Sequence, residues 1–161
     1  MISKLKSLFL SWDTIGALVL AVLLAILTPG AITYAMAKEV YAASMSVLAV
    51  IFSVFFAGLA VLITAGDDEF VCFLQEDGSY ARILWTFKFT LTALFVSLLA
   101  SIGLFVHALT YGSRDNYPEW LLMVFALLAF YSLFAAVGSS LHAIKYAEVR
   151  ARFLETDDNA A

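Results

Sequence analysis

Lys88 stands within the apolar run that opens at Ile83, and a cation in such a run is costly enough to suggest an ion pathway. Its place argues for a plainer role. It falls about one and a half turns past Arg82, beside Trp85 and Phe87, so its stem can carry the ammonium back to the headgroups or to a carboxylate. The nearest carboxylates in sequence are Asp67, Asp68 and Glu69, and a structural ion pair joining them to Arg82 or Lys88 is the expected arrangement. Together with Glu76 and Asp77 these acids could also hold a divalent cation, although adjacent carboxylates on a solvated turn are usually polar surface. His107 and His142 offer imidazole nitrogens, common ligands of metals and haem. Neither belongs to a His-x-x-x-His or Glu-x-x-His set, and in a hairpin of helices they fall at opposite ends. Interfacial hydrogen bonding is expected of them, with no metal and no cofactor.

No nucleophile elbow, phosphate loop, HExxH, CxxC or paired-carboxylate motif occurs, so catalysis is not expected. The single cysteine, Cys72, excludes an intrachain disulfide. No carboxylate lies near the middle of a span, which speaks against a proton relay or an ion-coupled transporter. Hydroxyls remain. Small residues recur every fourth position as Ala17, Ala21, Ala25; Ala49, Ser53, Ala57; Ala93, Ser97, Ser101; and Ala135, Ser139, Ala143, with a second small face at Ser132, Ala136 and Ser140. Such stripes let helices approach closely, and serines can bond across the contact. Ser97, Ser101, Ser132, Ser139 and Ser140 are therefore candidates for helix packing or, in a homo-oligomer, for lining a pore. Phe52, Phe55, Phe56, Phe125, Phe130 and Phe134 read as core filling or lipid contact rather than a pigment pocket.

These side chains are carried by a chain of 161 residues, 63 % hydrophobic and 14 % charged, more apolar than one soluble core can hide. A helix crosses the roughly 30 Å hydrocarbon layer with about 20 residues. Four stretches qualify: Thr14 to Thr28 (or onward to Ala37), Ala42 to Ala65, Ile83 to Tyr111 and Trp120 to Ile144. The expected fold is an all-α integral membrane protein, one domain over 1–161, built as a four-helix transmembrane bundle. Pro29-Gly30 either kinks the first helix or ends it; ending near Thr28 is preferred, with Gly30 to Tyr41 a short amphipathic connector. The first helix is then short, and local thinning of the bilayer would accommodate it. Lys4 and Lys6 precede a hydrophobic run that has no convincing cleavage site, so the run reads as a retained anchor.

Between the second and third spans, Asp67 can cap a short surface helix over 67–77, with Phe70, Phe73 and Leu74 on its membrane face. With the N-terminus inside, Lys4, Lys6, Arg82, Lys88, Lys145, Arg150 and Arg152 collect on the cytoplasmic side, against Lys38 and Arg114 outside. Both termini are thus expected in the cytoplasm, with residues 145–161 a cytoplasmic extension. Trp12, Trp85, Trp120, Tyr111 and Tyr117 have the placing of interfacial belts. The run Asp67-Asp68-Glu69-Phe70 after a phenylalanine-rich span resembles small bacterial membrane proteins, which implies a plasma (inner) membrane and no particular activity. The net charge of -4 argues against nucleic acid as a partner. The expected function is that of a non-enzymatic accessory or effector subunit that associates with itself or another membrane protein; the alternative is a homo-oligomeric pore.

Overall fold

The computed structural model of the protein describes residues 12–27, 32–64, 79–111 and 117–158. They form four helices: α1 (Trp12–Leu27), α2 (Tyr34–Thr64), α3 (Ser79–Thr110) and α4 (Glu119–Asp158). Three contain segments long and apolar enough to cross a membrane, Tyr34–Ala60, Tyr80–Thr110 and Glu119–Lys145. The first helix is equally apolar but has 16 residues, so four spans of full length are not present among the described residues.

A helix continuing past Pro29 to Ala37 is not what forms. Ile32 and Thr33 are non-helical, and Thr33 caps a new helix: its hydroxyl accepts from the Met36 N–H at 3.3 Å and its carbonyl from the Ala37 N–H at 3.0 Å. Residues 34–41 are accordingly the first two turns of α2 rather than a connector. The reason is packing, because Tyr34, Ala37 and Tyr41 recur at i, i+3 and i+7 and all three are buried. At the head of α4, the Leu121 N–H closes a first turn on the Pro118 carbonyl at 3.0 Å.

The helices alternate in direction. A carbon added at Gly16 would meet the Phe134 ring at 3.1 Å, and one added at Gly138 would meet the Asp13 carboxylate at 3.3 Å, so α1 lies antiparallel on α4. Helix α4 also packs on α3, α3 packs on α2, and α2 touches α4 more lightly. Ala17 and Ala21 form the buried side of α1, while Ile15, Leu18, Val19, Val22, Leu23 and Ile26 are exposed. One end of the bundle holds the start of α1, the start of α3 and the distal part of α4. We call it the N-terminal end, and the other the tyrosine end. Its core joins Tyr34, Tyr41, Tyr117 and Phe125, whereas Leu48, Phe55, Ile83, Phe87, Leu94 and Ala136 fill the N-terminal half.

Candidate functional site: a buried hydroxyl seam

Thr90, Ser97 and Ser101 lie on the buried face of α3, and Ser132 and Ser139 on the facing side of α4. In an apolar bundle each hydroxyl must find a partner or forfeit its hydration. All five do. Thr90 and Ser139 share a hydrogen bond of 2.7 Å, and Ser97 and Ser132 one of 2.6 Å. The second pair is also within bonding distance of backbone: Ser132 can donate to Leu128 O at 2.9 Å or Ala93 O at 3.2 Å, and Ser97 to Leu128 O at 3.3 Å. Ser101 donates to the Tyr41 carbonyl at 2.9 Å, which ties α3 to α2. Seven-residue spacing in both helices, 90 to 97 and 132 to 139, brings the two rungs onto one line, as antiparallel packing of facing ridges requires.

At the tyrosine end the seam passes into an aromatic cluster. The Tyr41 and Tyr117 hydroxyls bond each other at 2.9 Å, and the Tyr117 N–H donates to Ile32 O at 2.9 Å, which fastens the lead into α4 to the lead into α2. Tyr34 meets Tyr117 edge-on at 4.9 Å, and Tyr41 meets Phe125 in the same way at 4.9 Å. The His107 ring lies 4.8 Å from Tyr111 and 6.3 Å from Tyr117; its Nδ1 is buried with no hydrogen-bond partner among the described residues.

Burial raises the Tyr117 phenol above its ordinary value of 10.0, with the neighbouring Tyr34 adding to the effect and the Tyr41 hydrogen bond opposing it. A raised value in the folded state means that the neutral phenol favours folding. That contribution is complete below pH about 10 and is lost as pH rises through the raised value. Alkaline titration followed at once by tyrosinate absorbance and by helicity should therefore show wild type losing structure above pH about 10. Tyr117→Phe should lose less over the same range. Identical alkaline profiles for the two proteins would remove this role.

Of the residues singled out by type, Arg82 and Lys88 are exposed on α3, and their carbonyls accept from Thr86 at 2.9 Å and Thr92 at 2.8 Å. Asp67, Asp68, Glu69 and Cys72, with the surface helix expected over 67–77, lie outside the described residues. His142 is exposed, three residues past Ser139 and at the opposite end from His107. Ser97, Ser101, Ser132 and Ser139 come together in the seam, whereas Ser140 is exposed and donates to Ala136 O at 2.8 Å in its own helix. Phe55 is buried and stacks on Phe87 at 4.9 Å; Phe56 is exposed. Type alone did not single out Thr90, Tyr34 or Tyr41, although each falls on the buried repeat of its helix.

The seam is neutral. Its hydroxyls bond one another and backbone carbonyls. These bonds hold α2, α3 and α4 in register. No group of three or more metal-ligating side chains occurs among the described residues. Comparison of this chain with protein-family models, with curated proteins and with solved structures finds no match.

Proposed function

We propose that the chain is a non-enzymatic integral membrane protein of a bacterial plasma membrane, with both termini in the cytoplasm, that acts as a self-associating accessory subunit. Three spanning-length apolar helices support the membrane setting. The start of α1 and the distal part of α4 share one end, which is also the end holding Arg82, Lys88 and Lys145, in keeping with an excess of basic residues on the cytoplasmic side.

The observation that carries self-association is the outer face of α2. Ala43, Ser46, Val50, Ser53, Ala57 and Ala60 recur at alternating steps of three and four, and all are exposed. Ser46 and Ser53 donate to Ala42 O and Ala49 O of their own helix at 3.1 and 2.9 Å, so that apart from Val50 the stripe consists of small groups. Lipid-facing surfaces elsewhere in the molecule are large and aliphatic: Leu18, Val22 and Ile26 on α1, and Val96, Leu99 and Val106 on α3. Between membrane helices close approach is the main gain available, because lipid tails are as apolar as leucine. A second α2 fits this face better than acyl chains do.

Disulfide crosslinking in native membranes tests it, with Cys72 first replaced by serine. Ser46→Cys and Ser53→Cys should each give a dimer, Leu99→Cys on α3 should not, and Ala57→Phe should abolish the Ser53→Cys product. Monomer alone at native abundance would remove the reading. The alternative of a pore lined by Ser97 and Ser101 of α3, or by Ser132, Ser139 and Ser140 of α4, would require the hydrogen bonds of all of these but the exposed Ser140 to open between helices, which sets it behind self-association.

A further inference from the structure

Resting on the membrane reading, we infer that the bundle presents a charge-free girdle only about 20–24 Å tall and takes as its lipid partner a bilayer thinner than the usual 30 Å. The N-terminal edge of this girdle is set by Asp13, which packs against Gly138 of α4. The Thr90–Ser139 bond places Lys88, two residues before Thr90, about 4–5 Å beyond that height on the other side of the bundle. Trp12, beside Asp13, is 87 % exposed, as suits a ring in the headgroup layer. At the tyrosine end the edge is set by Lys38 and Glu39. The Tyr41 ring meets Phe125, and α2 and α4 run in the same direction, so these two charges, within a turn before Tyr41, stand between the heights of Leu122 and Phe125.

From Leu122 to Gly138 α4 rises about 24 Å, and from Phe125 about 20 Å, at 1.5 Å per residue. Lysine can snorkel across a shortfall of several ångströms, but the short Asp13 and Glu39 side chains reach less far, so the carboxylates fix the edges. Exposed Trp120, about one turn beyond Glu39, and exposed Trp85, about 9 Å beyond Asp13, then fall in the two headgroup layers. A girdle shorter than the hydrocarbon is met by thinning of the surrounding lipid, at a cost that grows with each ångström of mismatch.

The test uses the full chain reconstituted in phosphatidylcholine vesicles with acyl chains from about 14 to about 22 carbons, with tryptophan quenching by brominated lipid reporting relative lipid affinity. Affinity should peak at the short end and fall at least about threefold by the longest chain. Glu39→Ala and Asp13→Ala should each move the optimum to longer chains; if Asp13→Ala loses helicity, Glu39→Ala at its exposed site decides alone. An optimum at 18 carbons or more, or no movement of the optimum in the folded variants, overturns the short girdle while leaving the membrane reading intact. Absence of any quenching overturns both, and α2 crosslinking in the same vesicles is scored separately.

Discussion

Replacing Tyr41 by alanine is expected to destabilise the bundle by about 3–5 kcal/mol, the range for removing a large buried aromatic side chain. Tyr41 has 0 % exposure and joins three helices at one point. Its ring meets Phe125 at 4.9 Å, its hydroxyl bonds Tyr117 at 2.9 Å, and its carbonyl accepts from Ser101. Alanine keeps the carbonyl and loses the rest. A cavity opens under Phe125, and the Tyr117 hydroxyl is left without its partner in apolar surroundings. Tyr41→Phe separates the two effects, because it keeps the ring and should cost about 1–2 kcal/mol from the orphaned Tyr117 hydroxyl. Reversible unfolding by a denaturing detergent, followed by circular dichroism, measures both. A Tyr41→Ala protein within about 1 kcal/mol of wild type would mean that the tyrosine end does not hold the bundle together.

Much of the helical plan was legible in the sequence because its signal is a length. Uninterrupted apolar runs of about 20 residues announce a helix without any knowledge of its partner, since backbone groups in hydrocarbon must bond within the segment. What composition could not settle was the passage around Pro29-Gly30. Residues 34–41 look polar enough for a surface connector, with Lys38 and Glu39 among them. The burial of Tyr34, Ala37 and Tyr41 makes them helix, and that burial depends on Tyr117, distant in sequence. Chain order also misleads about neighbours. Helix α1 packs on α4, its last partner in sequence, through Gly16 against Phe134 and Gly138 against Asp13. No local pattern reports such a pairing.

The serines illustrate the same limit on the site. Their spacing made Ser97, Ser101, Ser132 and Ser139 candidates either for packing or for lining a pore, and spacing alone cannot say which way a stripe faces. Only the antiparallel fit of α3 and α4 pairs 97 with 132 and brings Thr90 opposite Ser139. Ser97, Ser101, Ser132 and Ser139 are thereby turned inward, whereas Ser140 is exposed.

Ser132→Leu should be the most damaging single change within the seam, at about 2–4 kcal/mol, because it forces a branched side chain into a filled contact and removes a hydrogen bond. Ser132 has 0 % exposure and stands within 2.6 Å of Ser97, and within reach of the Leu128 and Ala93 carbonyls, so the space beside it is backbone as well as side chain. Backbone cannot rotate out of the way, and α3 would have to lift from α4. Ser132→Ala tests the hydrogen bond without the crowding. Hydroxyl pairs between membrane helices average only about 0.6 kcal/mol, because a freed serine can turn to a carbonyl of its own helix. Ser97 has that option only in part, since its other acceptor, Leu128 O at 3.3 Å, belongs to the neighbouring helix. A double-mutant cycle with Ser97→Ala and Ser132→Ala should therefore give a coupling of about 0.5–1.5 kcal/mol. If Ser132→Leu proved as mild as Ser132→Ala, the close contact of α3 with α4 would be wrong, and the inward-facing seam would go with it.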